Sequence, residues 1–235
     1  MPPSTTSTAI PTGRAVIAFH QACLALPQWP ADAAVPATPD GAGGGDPAAT
    51  LWHWIATNHR FNCRLWAEED LARRTRVADA EIAANKRAID GFNQARNDAT
   101  ERVDELLLLA LGLVDPASAG SDAPVSTAAA SARLNSETAG SMIDRLSILA
   151  LKVDAMTKQT ERRDVDDAHR RASAGRLKRL TAQRDDLAAC LDALLADCLA
   201  GRACFKVYRQ FKMYNDPRFN PALVAEQRGA RSGAG

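Results

Sequence analysis

The chain is poor in aromatic and β-branched residues, has almost no net charge and contains no long hydrophobic run. Only 5% of its 235 residues are aromatic, which argues against an all-β fold. A net charge of +1 argues against binding by general phosphate neutralisation, so we expect no nucleic-acid partner. The longest apolar run, residues 106–114, is about half the length of a membrane-spanning helix. We therefore expect no membrane span.

We also expect neither a disulfide framework nor a signal sequence. Its five cysteines are an odd number without short repeats, which is typical of neither a disulfide framework nor a zinc site. Cys190 and Cys198 lie two helical turns apart on an apolar stripe, so both are expected in the core. Residues 1–12 are rich in Pro, Ser and Thr and have no apolar segment of signal-peptide length. These features predict a cytoplasmic protein.

Most of the sequence shows the hydrophobic periodicity of α-helices. This periodicity predicts an all-α fold, a helical bundle of about five long or medium helices. We expect one helical domain over residues 14–224, preceded by a flexible N-terminus (1–13) and followed by a disordered tail (225–235). Within the domain, a Pro/Gly-rich loop is expected at residues 27–48 and an Ala/Ser-rich loop at 114–134.

The last two long helices are expected to form an antiparallel hairpin. The fifth helix has leucines at heptad-like spacing, among them Leu180, Leu187, Leu191 and Leu194, which favours pairing with the fourth helix. The tip of this hairpin, residues 158–176, consists mostly of charged or small residues. It is therefore predicted to protrude, either as a solvated extension or as a surface for a protein partner.

The third helix carries a narrow polar stripe separate from both its apolar face and its expected solvent face. The solvent face holds Arg87, Gln94, Asp98, Arg102 and Glu105. Asn and Asp lower helix propensity and are unusual choices for solubility alone, so the stripe favours a ligand site; the alternative is a polar network between helices. The stripe spans an arc of about 80° and consists of Lys86, Asp90, Asn93, Asn97, Glu101 and Asp104.

Neighbouring helices supply complementary groups. On the second helix, Asn62 could hydrogen-bond a ligand and Trp66 could stack on a ring; alternatively, Trp66 is a core residue and Glu69–Arg73 a surface pair. The fourth helix is apolar almost all round and is expected to be central. Its polar residues would then pair with other helices or orient an anion. Further candidate groups are Asp144, Arg145 and Lys152 on the fourth helix, Asn135 and Glu137 at its start, and Arg96 on the third helix. The basic-aromatic segment 205–214, which contains Lys212, is expected to close over the bundle as a strap and to supply one or two cations to the same site.

Four segments of the chain resemble the bacterial domain-of-unknown-function family 4254. They are NHRFNCRLWAEEDLAR (58–73), NKRAIDGFNQARNDATERVD (85–104), LNSETAGSMIDRLSILALK (134–152) and YRQFKMYNDPRFNP (208–221). Members of this family are often encoded beside glycosyltransferases of cell-surface polysaccharide assembly. The resemblance therefore implies a role in cell-surface polysaccharide assembly, but it does not imply a particular reaction.

The leading hypothesis is a protein that binds or acts on a phosphorylated or nucleotide-linked sugar, with Mg²⁺ as the candidate cofactor. Acid–base or metal-binding roles would fall to carboxylates, and the candidates are Glu69, Asp90, Glu101 and Asp144. The ligand would be held by cationic, amide, acidic and aromatic side chains, and these candidates are Asn62, Trp66, Arg73, Lys86, Asn93, Arg96, Asn97, Asn135, Glu137, Arg145, Lys152 and Lys212.

Two alternatives remain open. The spacing of Glu101 and Asp104 is similar to one half of the magnesium site of all-helical nucleotide pyrophosphohydrolases. The other half departs from that pattern, because Leu71 and Ala72 stand where a second Glu is needed. The second alternative is a non-catalytic adaptor that docks a glycosyltransferase through the charged hairpin tip.

Overall fold

A computed structural model describes residues 10–31, 35–39, 47–210 and 218–232 of the chain. Within these residues the fold is a helical bundle, which confirms the all-α prediction. The elements in chain order are α1 (Gly13–Ala25), α2 (Pro47–Leu71), α3 (Asp79–Ala110), β1 (Arg133–Leu134), α4 (Ala139–Glu161), α5 (Asp167–Leu199), β2 (Ala203–Cys204) and α6 (Pro221–Ser232).

Two helical hairpins form the frame of the bundle. The connection over residues 72–78 joins α2 to α3, and the connection over 162–166 joins α4 to α5. Helix α4 contacts α1, α2 and α3 in addition to α5. It is therefore the central helix, as its nearly continuous apolar surface predicts.

The core lies between these hairpins and α1. Its largest fully buried side chains include Trp52, Phe205 and Leu191, and each such burial contributes roughly 1.5–3 kcal/mol. Helix α1 begins at Gly13, where an added Cβ would lie 2.7 Å from the Ala188 Cβ. Glycine thus allows α1 to approach α5 closely.

Cys198 is buried in this core, whereas Cys190 is exposed, so the expectation that both cysteines are core residues was wrong for Cys190.

The Ala/Ser-rich segment between α3 and α4 is held by backbone hydrogen bonds. The Asp115 amide donates to the Val125 carbonyl at 2.9 Å, and the Thr127 amide donates to the Leu113 carbonyl at 3.1 Å. The segment ends in β1, which pairs in parallel with β2. This pairing fixes the start of the strap, of which the structure describes residues 205–210.

The strap changes the environment of α3. Its Arg209 forms ion pairs with Glu101 at 3.2 Å and Glu105 at 2.5 Å. Glu105 is only 7% exposed, although the helical pattern places it on the solvent face. A segment more than 100 positions later in the chain covers that face, which periodicity within α3 cannot reveal.

The C-terminal segment is helical, and the tip of the α4–α5 hairpin is exposed. Helix α6 continues through residues 225–232, where a disordered tail was expected; the Asn220 side chain accepts a hydrogen bond from the Ala222 amide at 2.9 Å and begins this helix. In the first twenty residues of α5, Ser173 is the one buried residue, so the hairpin tip is largely solvated. Among the described residues, no helix combines the length and hydropathy needed to cross a membrane.

Candidate functional site

A pocket of about 360 Å³ opens between α2, α3 and α4; we call it the central pocket. Its volume lies toward the lower end of the roughly 300–1,000 Å³ typical of small-molecule sites. Six of the ligand-binding or catalytic candidates from the sequence lie in its wall. The lining residues are Asn62, Leu65, Trp66, Glu69, Asp70 and Arg73 from α2, Asn93 and Arg96 from α3, and Ile148 and Leu151 from α4.

A polar network beneath the pocket joins the same three helices. The Oδ1 atom of Asp144 accepts hydrogen bonds from the Nδ2 atoms of Asn58 and Asn62, each at 2.8 Å. Asn58 also donates to the Thr100 hydroxyl at 3.0 Å. Asn58 and Asn62 are 1% and 4% exposed, and buried amides are costly unless they are hydrogen-bonded. The network therefore fixes the registration of α2 against α3 and α4.

The network continues inward to a buried histidine. Asn62 donates to the Ser147 hydroxyl at 3.0 Å, and this hydroxyl lies 2.7 Å from the His59 Nδ1 atom. Burial lowers the pKa of His59 to about 3, so the ring is neutral near pH 7. It stacks on His20 with ring centroids 4.5 Å apart. The inner end of the network is thus a neutral, closely packed pair of histidine rings.

Arg96 is the partly buried cation of the central pocket. Its side chain is 24% exposed, and its Nη1 atom lies 3.6 Å from the Asp144 Oδ2 atom. Its Nη2 atom donates to the Asn97 side chain at 2.9 Å, and its buried Nε atom has no hydrogen-bond partner within the described chain. A guanidinium group has five N–H donors. Because the Nε donor is buried and one Nη2 donor is used by Asn97, the unused donors that could reach a ligand lie on Nη1 and Nη2.

The rim of the pocket combines an aromatic ring with carboxylates. Trp66 is 37% exposed and presents an apolar surface. Glu69 pairs with Arg73 at 3.1 Å, and the Arg73 side chain is 68% exposed. The neighbouring Asp70 carboxylate has no hydrogen-bond or ion-pair partner among the residues that the structure describes. The pocket therefore carries a cation on the α3 wall and a free acid on the α2 rim.

The C-terminal part of the α3 stripe contacts the protein rather than the pocket. Asn97 donates to the Gln210 side chain at 2.8 Å, and Glu101 accepts from the Gln210 amide at 3.2 Å in addition to its ion pair with Arg209. The strap does lie across the bundle, as its basic-aromatic sequence suggests. Its Arg209 side chain pairs with α3 carboxylates, however, and supplies no cation to the central pocket.

Asp104 supports the start of α4. Its Oδ1 atom accepts a hydrogen bond from the Gly140 amide at 2.6 Å. Burial raises the pKa of Asp104 to about 7, against the hydrogen bonds from Thr138 and Gly140, which favour the ionised form. Glu101 and Asp104 are thus both engaged within the fold. Among the described residues, no group of three or more His, Cys, Asp or Glu side chains could hold a metal ion, so the pyrophosphohydrolase alternative gains no support.

The remaining candidates lie elsewhere. Asp90 and Lys86 pair with each other at the surface, with side chains 55% and 67% exposed, and do not line the central pocket. Asn135 donates to the backbone carbonyl of Glu137 at 2.6 Å. Three further candidates, Glu137, Arg145 and Lys152, line a separate groove of about 730 Å³ between α4 and α5. Lys212 lies outside the described residues.

Sequence reasoning missed the small hydroxyl residues of the network. Thr100 and Ser147 join the asparagines and the histidine, yet each stands among residues typical of an ordinary helix. The available signal was weak, namely a serine inside the apolar sequence of α4. Their role became visible only when α2, α3 and α4 were brought together.

Comparison with known proteins adds a family but no activity. Residues 52–207 match the model of a family described as "Protein of unknown function (DUF4254)". The matched range contains every residue that lines the central pocket and every residue of the Asn58–Asn62–Asp144 network. No curated protein and no solved structure matches the chain.

Proposed function

The chain belongs to the DUF4254 family, and from its central pocket we propose that it binds a phosphorylated or nucleotide-linked sugar. Arg96 is the observation that carries the proposal. A cation that is three-quarters buried, has unused donors and lines a pocket is suited to an oxyanion. Phosphate oxygens match the planar donor geometry of arginine and form strong charge-assisted hydrogen bonds.

The rest of the pocket lining supports a sugar as the remainder of the ligand. The partly exposed Trp66 ring offers a flat surface for the apolar face of a sugar. Asn93 can donate and accept hydrogen bonds, and the Asp70 carboxylate can accept them from hydroxyl groups. A pocket with a partly buried cation, one aromatic ring and several hydroxyl-binding groups fits an anionic sugar better than a purely apolar molecule.

The same geometry divides the candidate catalytic carboxylates by role. Glu69 lines the pocket and is 47% exposed, so it is the carboxylate that could exchange a proton with a bound sugar hydroxyl. Asp144 lies beneath the pocket and uses one oxygen for two asparagines and the other for the charge of Arg96. We assign Asp144 as a positioning residue for Arg96. Asp90 and Glu101 have no part in the proposed site.

The proposed biological setting is cell-surface glycan assembly in the cytoplasm of a bacterium, which the resemblance to the family implies. An adaptor for a glycosyltransferase is the second candidate function. The observation that favours it is the solvated tip of the α4–α5 hairpin, where α5 buries only Ser173 over its first twenty residues. In that case the polar network would serve stability alone.

Thermal unfolding in the presence of ligands tests the proposal. The panel consists of hexose phosphates and nucleotide-linked hexoses, each with and without Mg²⁺. A ligand at about 100 times its dissociation constant stabilises the native state by about 2.7 kcal/mol, so the wild-type melting temperature should rise. The rise should vanish in Arg96→Gln and persist in Arg87→Gln, because Arg87 is an exposed residue of α3 outside the pocket.

A shift that survives unchanged in Arg96→Gln would refute the assignment of this arginine. No shift with any member of the panel would refute the proposed function. If Arg96→Gln were then also strongly destabilised relative to Arg87→Gln, the network would be structural and the adaptor function would be preferred.

A further inference from the structure

We infer that the ligand of the central pocket is a sugar monophosphate and not a nucleotide-linked sugar, an inference that rests on the proposed function. The central pocket supplies a size limit and an arrangement of charges, and both discriminate between these two classes.

The size of the pocket favours the smaller ligand. Small-molecule sites bury roughly 70–90% of a ligand's surface. A volume of about 360 Å³ accommodates a hexose ring with one phosphate. A nucleotide-linked hexose carries in addition a second phosphate and a nucleoside, which this volume cannot enclose together with the hexose.

The charges of the pocket favour a single phosphate. Arg96 is the partly buried cation of the pocket, whereas Arg73 is largely solvated and its Nη1 atom is already paired with Glu69. A second phosphate of a diphosphate linkage would have to lie toward the α2 rim. That rim carries the Glu69–Arg73 pair and the unpaired Asp70, so its excess charge is negative and a second phosphate would meet net repulsion.

The same carboxylates suit the hydroxyl groups of a sugar. A phosphate on Arg96 leaves Trp66 and Asp70 of α2 and Asn93 of α3 to line the space for the sugar ring. There, Asp70 can accept hydrogen bonds from hydroxyl groups without competition from a protein donor, since it has none within the described chain. The arrangement therefore selects a molecule with one anionic end and one hydroxyl-rich end.

Calorimetric titration with matched ligand pairs tests this inference on the full-length protein. The pairs differ only in the nucleotide: glucose 1-phosphate and UDP-glucose, N-acetylglucosamine 1-phosphate and UDP-N-acetylglucosamine, mannose 1-phosphate and GDP-mannose. In the best-binding pair, the monophosphate should bind at least tenfold more tightly than its nucleotide-linked partner. Free sugar and inorganic phosphate should each bind at least tenfold more weakly than that monophosphate.

Removing the rim charge tests the electrostatic argument. Asp70→Asn should reduce the preference for the monophosphate several-fold, because the repulsion of a second phosphate is relieved. Asp186→Asn should leave the preference unchanged, since Asp186 is an exposed acid of α5 that lines the other groove. Equal effects of Asp70→Asn on both members of a pair would contradict the proposed role of the rim.

The outcomes separate the inference from the function on which it rests. A nucleotide-linked sugar that binds as tightly as its monophosphate, with binding lost in Arg96→Gln, would overturn the inference and leave the proposed function standing. No binding of any sugar phosphate or nucleotide-linked sugar would overturn both.

Discussion

At the scale of single residues, Asp104 shows how a polar side chain becomes part of the fold. It is 4% exposed and accepts a hydrogen bond from the first turn of α4. Burial raises its pKa from 3.8 to about 7, so the native state binds this proton more tightly than the unfolded chain does. The stabilising contribution is complete below about pH 4 and is lost as the pH rises toward 7.

We therefore predict that the pH dependence of unfolding changes in Asp104→Asn, which keeps the carbonyl acceptor but cannot ionise. Between pH 4 and pH 8 the free energy of unfolding of the wild type should fall relative to that of the variant by as much as about 4 kcal/mol. Urea unfolding at a series of pH values measures this difference. A difference that does not vary with pH would show that Asp104 is not the group responsible.

The α3 stripe illustrates how far residue-level prediction reaches. Its spacing correctly predicts a line of polar side chains apart from the apolar face. The structure gives that line three environments: Lys86 and Asp90 in solvent, Asn93 in the central pocket, and Asn97 through Asp104 against the strap and α4. Spacing within one helix defines the direction in which each side chain points around the helix axis. How deeply each side chain is buried depends on which other elements pack against that helix.

At the scale of secondary-structure elements, close approach of α3 and α4 depends on Gly140. A Cβ at this position would lie 2.7 Å from the Thr100 carbonyl oxygen and 2.8 Å from the Asp104 carboxyl. Both neighbours belong to α3, one as backbone and the other as a buried hydrogen-bonded side chain. The first turn of α4 could therefore accept a side chain only by moving away from α3.

Gly140→Ala should consequently lower the free energy of unfolding by roughly 1–3 kcal/mol, the usual cost of overpacking. The matched control is Gly91→Ala in the exposed part of α3, where an added Cβ would meet nothing within 4 Å. This control should raise stability by about 1 kcal/mol, because alanine favours the helix. Chemical denaturation compares the two variants, and a Gly140→Ala protein as stable as the wild type would contradict the packing argument.

The strap is the element that sequence analysis described only in part. Its alternation of basic and aromatic residues indicates an extended segment across the bundle. The acidic partners of Arg209 could not be chosen from the sequence, because several carboxylates on α3 were equally available. The pairing of β1 with β2 sets where the strap crosses α3, and that crossing selects Glu101 and Glu105.

At the scale of the whole molecule, the cysteines report on the integrity of the bundle. Cys23, Cys63, Cys198 and Cys204 are buried in different parts of the fold, whereas Cys190 is exposed on α5. Burial raises the pKa of Cys23 to about 12 and that of Cys63 to about 11. Both effects suppress the thiolate form, which is the reactive species.

The native protein should therefore react rapidly with a thiol reagent at one cysteine per chain, and the five cysteines of the sequence should react in urea. Cys190→Ser should remove the rapid reaction without altering the unfolded total. Rapid labelling of more than one thiol in the folded wild type would show that the bundle opens, or that α1 and the strap are not packed as described. With an aromatic disulfide as the reagent, the absorbance of the released thiolate gives the number of reacted cysteines per chain.

The sequence by itself determined the helical class, the central position of α4 and the residue types available for a site. These properties follow from hydrophobic periodicity and from the polarity of each residue, which are local. Only the tertiary structure decided that Asn62, Trp66, Glu69, Arg73, Asn93 and Arg96 share one pocket, while Asp90, Glu101 and Lys152 do not. The physical reason is that a pocket is formed by the crossing of several helices, and no single helix encodes where its neighbours cross it.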